Sequence, residues 1–180
     1  MKKSLSLLCI LAALLGIVGC EPTVVEPVVA IKPDSLTLFI GQKDTLVAVI
    51  TPEETLANIN IWETSDKKIA TVDGNGVVTA KSEGQAIITY TTNIGSAQCV
   101  VNVQSGILTI NQETAECNVY ETLQLLVTKP EHKASARISW KTSNSAIASV
   151  DSKGNVTGMS AGEAVITASV SGCKSVQCTV

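Results

Sequence analysis

An all-β protein made of one small sandwich written twice is what the sequence predicts, and three observations carry that expectation. The stretch from Trp62 to Thr89 returns as Trp140 to Thr167, each residue displaced by 78 positions, so that Trp62-Glu63-Thr64-Ser65-Asp66 becomes Trp140-Lys141-Thr142-Ser143-Asn144. Apolar residues alternate with polar ones in short runs, the period of a strand with one face buried. Gly, Asn, Asp and Pro punctuate those runs at short intervals, and no stretch of the exported chain carries helical periodicity.

The first residues stand apart from both copies. Met1-Lys2-Lys3 gives a positive start, and the uncharged, mostly apolar run from Leu5 to Val18 is shorter than the ~20 residues a membrane-crossing helix needs. Residues 1–19 therefore read as a secretory signal. Ile17-Val18-Gly19-Cys20 resembles the bacterial lipobox, which implies that Cys20 becomes the lipid-modified first residue of the exported protein. Several acyl chains on one residue hold a protein to a membrane stably. Glu21 stands where inner-membrane retention typically has Asp, which points to the outer membrane, and display at the cell surface is the expectation. Residues 20–28 hold Pro22 and Pro27, which favour an extended tether; a leader with no spacing role is the alternative.

Without Lys2 and Lys3 the chain carries 11 basic against 16 acidic residues, Arg137 being its one arginine. With no basic run to neutralise phosphates, nucleic acid is not an expected partner.

Taken in order, Leu36, Leu38 and Ile40 alternate with Thr37 and Phe39 before Gly41 turns the chain. Leu46, Ala48 and Ile50 continue on one face and end at Pro52, which cannot donate to a ladder. Ile59 to Trp62 forms a third strand, with Asn60 marking a bulge, and Ala70 with Val72 a fourth. Asp73-Gly74-Asn75-Gly76 is a tight turn, because Gly and Asn accept the positive φ that hairpins require. Val78 with Ala80, then Ala86, Ile88 and Tyr90, then Cys99, Val101 and Val103 complete seven strands. The second copy repeats the set and ends on Val176, Cys178 and Val180. Seven short strands with one Trp on the third describe an immunoglobulin-like sandwich.

The same residues carry a family resemblance. Trp-x-Thr-Ser-[Asp/Asn], Ile-Ala-[Thr/Ser]-Val-Asp, Gly-x-Val-Thr and Gly-x-Ala-x-Ile-Thr, in that order and twice, resemble the bacterial immunoglobulin-like group 2 domain over residues 29–103 and 107–180. Only Gln104-Ser105-Gly106 separates the copies, a link short enough to restrict how the domains swing. Such domains recur in bacterial surface proteins and adhesins, so the resemblance implies contact rather than chemistry.

The remaining residue types support that expectation. Trp62 and Trp140 each lie on an alternating strand at one module position and are assigned to the cores. His132, the one histidine, sits in the loop Pro130-Glu131-His132-Lys133 and reads as a solvated residue, since a catalytic histidine needs a nucleophile and an orienting partner. Asp73-Gly74-Asn75 lacks the further ligands of a calcium loop and reads as a hairpin. No catalytic residue, metal ligand or cofactor is therefore expected. Cys99, Cys117, Cys173 and Cys178 contain no Cys-x-x-Cys pair, which argues against zinc and leaves a disulfide open in an oxidising compartment. Aligning the copies places Cys117 at the inward position of Ile40 and Cys178 at that of Cys99, on first and last strands that neighbour each other in this fold. The expectation is a Cys117–Cys178 bridge, a buried unpaired Cys99, and Cys173 in the last hairpin turn.

The function expected is that of a non-catalytic, outer-membrane lipoprotein whose paired domains mediate adhesion, protein interaction or spacing. The alternative is a glycan-binding accessory lipoprotein of a polysaccharide-uptake system, which the scarcity of aromatics beyond Phe39, Tyr90 and Tyr120 disfavours.

Overall fold

The computed structural model describes residues 25–53 and 55–180. Residues 1–24, which include the expected signal sequence, Cys20 and the start of the expected tether, lie outside the described residues.

The first domain is built from β1 (Val28–Lys32), β2 (Ser35–Phe39), β3 (Lys43–Thr45), β4 (Val47–Thr51), β5 (Ile61–Thr64), β6 (Ala70–Val72), β7 (Val77–Ala80), β8 (Gly84–Thr91) and β9 (Ser96–Gln104). One layer runs β2-β9-β8-β5 and the other contains β3-β7-β6 and the pair β1-β4. β3 and β4 are one strand interrupted at Leu46, whose side chain drops into the core while its N–H donates to the Gly76 carbonyl at 2.9 Å. β1 and β2 are likewise one strand that changes layer. It pairs antiparallel with β4, passes Pro33, and then pairs parallel with β9.

Period-two alternation fills the space between the layers. Val78 and Ala80 on β7, Ala86, Ile88 and Tyr90 on β8, and Cys99, Val101 and Val103 on β9 are all buried. Burying each Val, Leu or Ile contributes about 1.5–3 kcal/mol, so the strands cohere through side chains more than through their ladders. Asn60 forms no bulge. β5 begins at Ile61, and the Asn60 carboxamide oxygen instead accepts a 2.6 Å hydrogen bond from the Tyr90 hydroxyl.

The second domain repeats the plan with β10 (Gly106–Ile107), β11 (Thr109–Ile110), β12 (Thr122–Gln124), β13 (Val127–Thr128), a 3-10 turn (Glu131–Lys133), β14 (Ser139–Thr142), β15 (Ala148–Val150), β16 (Asn155–Gly158), β17 (Val165–Ser169), β18 (Cys173–Lys174) and β19 (Val176–Thr179). Its layers contain β14-β17-β19 on one side, and β12-β16-β15 with the pair β11-β13 on the other.

The copies superimpose with a displacement of 78 through the tryptophan strands, but the early strands are displaced by 79. Leu125 takes the place of Leu46, its N–H donating to Gly154 O at 2.9 Å as that of Leu46 does to Gly76 O. Tyr120 takes the place of Gly41: both have left-handed backbones, at φ 68° and 89°, and both donate their N–H across to the strand after the hairpin.

This register corrects the cysteine expectation. Thr114 bridges Thr179 in parallel, as Ser35 faces Val100, so Cys117 occupies the place of Leu38 rather than that of Ile40. Cys178 then lies level with Glu113, four residues from Cys117 along the strands, or roughly 13 Å at ~3.3 Å per residue. A disulfide requires Cα atoms within about 7 Å. Both thiols are free; that of Cys117 donates to Glu121 O at 3.1 Å and that of Cys178 is buried. Cys99 is fully buried, and Cys173 opens β18 directly after the turn closed by its own N–H to Val170 O.

Trp62 and Trp140 pack against their cores but remain half-buried. Each indole covers the glycine of the adjacent hairpin, Gly76 or Gly154, where a Cβ would fall 3.1 Å or 2.6 Å from the ring. Trp62 also meets Tyr90, ring centroids 4.7 Å apart. Trp140 has Ala168 at that place on β17.

Candidate functional site

Two regions stand out once the cores are accounted for: the junction between the domains and the open edge beside Trp62.

The junction begins in the link. Gly106 is captured at once by the second domain, its N–H donating to Gly172 O at 2.8 Å while β10 pairs parallel with β18. A Cβ at residue 172 would fall 2.9 Å from Ile40 O and 3.2 Å from Ile40 Cβ, so only glycine lets the last hairpin of the second domain lie against the end of β2. On that same end the Phe39 ring stacks on His132, centroids 4.2 Å apart and 15° from parallel, and Lys133 Nζ donates to Ile40 O at 3.0 Å. At the flank Glu83 accepts from Ser105 Oγ at 2.8 Å and pairs with Lys174 Nζ at 3.4 Å. The Ser105 hydroxyl, and then the Lys174 charge, hold the Glu83 carboxyl below its ordinary range. That ion pair is exposed on both sides and contributes little by itself.

His132 is therefore not a solvated loop residue. Its ring closes the junction, and its Nε2 is buried with no hydrogen-bond partner. Sequence reasoning missed it because its partner Phe39 lies 93 residues away and no local pattern connects the two.

The second region is a groove of about 390 Å³ along β5, lined by Ile61, Trp62, Glu63, Thr64, Lys67, Thr71 and Val72. It opens where β5 and β6, edge strands of opposite layers, come together.

The acidic turns are occupied by backbone. Asp73 Oδ1 accepts from Asn75 N at 2.9 Å and Val77 N at 3.0 Å. Asp151 does the same for Lys153 N and Asn155 N, and its second oxygen takes Asn155 Nδ2 at 2.7 Å. The Asn155 bonds lead in holding the Asp151 carboxyl below its usual range. These carboxylates fasten hairpins. Among the described residues no three of His, Cys, Asp and Glu converge as metal ligands, and no helix is long and apolar enough to cross a membrane.

The family model for the bacterial Ig-like domain (group 2) matches residues 25–103 and 107–180. An uncharacterised protein of Clostridium acetobutylicum is 34% identical over 139 residues, which make up 74% of this chain and 14% of that protein. An alpha-L-arabinofuranosidase of Bifidobacterium longum is 33% identical over 70 residues, 39% of this chain and 7% of its own length. Among solved structures, a C-terminal fragment of intimin, in complex with the intimin-binding domain of the translocated intimin receptor, shares 17% identity at a TM-score of 0.37, covering 84% of this chain and 62% of that fragment. The chain thus spans only 14% and 7% of the lengths of these two curated relatives. With its repeated tryptophan strands, its hairpin glycines and both sandwiches accounted for, the chain belongs to the bacterial Ig-like domain (group 2) family, of which it holds two tandem copies.

Proposed function

We propose that the chain is a lipid-anchored protein of the outer membrane, displayed at the cell surface, whose two domains bind a macromolecular partner rather than transform a substrate. The observation that carries this reading is the junction. A short link, a ring stack, a lysine-to-carbonyl bond and a glycine contact hold the two sandwiches end to end, so the second domain is presented at a set distance from the tether. Its polar side chains support the same reading. The turn carboxylates bind hairpin amides and the single histidine stacks at the junction, which leaves faces of Thr, Ser, Asn and Gln suited to adhesion, protein interaction or spacing.

Radiolabelled palmitate should enter the full chain and not the Cys20→Ala variant, and protease treatment of intact cells should release the two domains. A chain that takes no label, or that is shielded in intact cells and cut only after lysis, overturns the anchored surface reading.

A second reading, a glycan-binding accessory protein, is favoured by the match to the arabinofuranosidase and by the half-exposed Trp62 in the β5 groove. A glycan array probed with the chain from residue 21 onward separates the two: saccharide binding lost on Trp62→Ala selects the second.

A further inference from the structure

We propose that the chain associates with a second copy of itself by pairing β5 of one copy with β14 of the other, antiparallel, into one continuous sheet. This goes beyond the anchored surface reading and does not depend on it.

The argument starts from which backbone groups are free. Ser65 N donates to Ile87 O at 2.9 Å, so with the β5–β8 register residues 61, 63 and 65 aim their amides and carbonyls at β8. Trp62 and Thr64 alternate with them and point their N–H and C=O groups away from the sheet, where the described residues offer no backbone partner. The second domain behaves identically: Ser143 N donates to Val165 O at 2.9 Å, which leaves the backbone of Trp140 and Thr142 open on the edge of β14. Each copy thus exposes two matched strand edges, the feature through which sheets add further strands.

Charge decides which edges meet. An antiparallel joint that engages all the open groups sets Trp62 opposite Thr142 and Thr64 opposite Trp140. The residues between them, Glu63 and Lys141, then face each other as a close, non-hydrogen-bonded pair, with Cα atoms about 4.5 Å apart. Both side chains are exposed, and neither has a salt-bridge partner among the described residues. The same geometry applied to like edges places Glu63 against Glu63 for two β5 strands and Lys141 against Lys141 for two β14 strands. A charge on an edge strand ordinarily blocks pairing. Here the two copies of the module carry opposite charges at one position, so like-with-like joints are blocked and only the unlike joint is left. Thr64 Oγ1 donates to Ala70 O on β6 at 3.0 Å, a side-chain bond that leaves the Thr64 backbone groups open. With two joints per pair the assembly closes as a dimer; with one it continues as a chain.

The test uses the chain from residue 21 onward, which contains both cores whole, in sedimentation velocity from micromolar to millimolar concentration. The unaltered protein should associate as concentration rises. Glu63→Lys and Lys141→Glu should each weaken association about tenfold or more, and the double variant should restore it, because the charges then face each other in reverse. A folding defect cannot produce that rescue. Hydrogen exchange at the Trp62, Thr64, Trp140 and Thr142 amides should slow in step with association. A chain that stays monomeric at millimolar concentration overturns the proposal, as does association that the single reversals leave intact or that the double variant fails to recover.

Discussion

Gly172 lies against Ile40 so closely that a Cβ on it would fall 2.9 Å from the Ile40 carbonyl oxygen and 3.2 Å from its Cβ. The obstruction would be backbone, which cannot swing aside as a side-chain end can. Gly172 also holds φ +79°, a conformation other residues reach only at a cost. Gly172→Ala should therefore wedge the domains apart while leaving each one folded. Small-angle scattering should report a broader distribution of overall shapes, and NMR relaxation should show the domains tumbling more independently. His132→Ala removes the stack on Phe39, a contact of about 0.5–1.5 kcal/mol, and should loosen the junction in the same direction with no steric wedge. Unchanged relaxation in both variants would mean that the link alone sets the geometry.

Acid should loosen the same junction through Glu83. Its folded carboxyl titrates below the ordinary value because Ser105 and Lys174 stabilise the charged form. A group depressed in this way contributes above its unfolded pKa, and its contribution is lost as pH falls through the folded pKa, so the effect belongs to the range below about pH 4.5. The Glu83 side chain is exposed, so the change should be small and salt-sensitive. Titrating interdomain NMR contacts in the unaltered chain and in Glu83→Gln isolates it: the variant should lack the acid-dependent step.

Tyr120→Gly should stabilise the second domain. The tyrosine holds φ 68° where the first domain has Gly41, and it is 83% exposed, so little burial offsets the strain. Relief of a left-handed non-glycine backbone, less the greater entropy that glycine has in the unfolded chain, leaves a gain of about 1 kcal/mol. Thermal unfolding of the second domain should shift upward by several degrees. A fall in Tm would show that the ring makes a contact in solution that outweighs the backbone strain.

These residues also show what a single sequence reveals of this fold. The tryptophan strands and the Asp73 and Asp151 hairpins were legible because turn chemistry and an aromatic at a fixed place pin the register. The placement of Cys117 was not. A strand repeats every two residues, so matching Cys117 to Ile40 or to Leu38 keeps the same face inward, and apolar alternation cannot separate the two. One residue fewer between Leu125 and Trp140 than between Leu46 and Trp62 supplied the error. The junction was hidden for another reason. Pro130-Glu131-His132-Lys133 has the composition of a solvated turn, and its contacts with Phe39 and Ile40 form only once both sandwiches exist. Glu63 and Lys141 were visible as a charge change between the copies, but their facing an open edge follows only from the hydrogen-bond phase of β5 and β14.

The cysteines give the last prediction. Burial raises the Cys99 thiol, with the Asp34 charge adding to it, and burial alone raises Cys178. Fewer thiolates exist at these positions at any given pH, and both side chains have no solvent access, so two effects act in one direction against reaction. Cys117 and Cys173 are partly exposed and free. Under native conditions near pH 8 an alkylating reagent should modify Cys117 and Cys173 while leaving Cys99 and Cys178 intact, and all four should react after unfolding in denaturant without reductant. Intact-mass analysis counts the adducts. A Cys117–Cys178 bridge would instead leave two thiols resistant in denaturant until reductant is added, and that result would overturn the register that sets Cys117 at the place of Leu38.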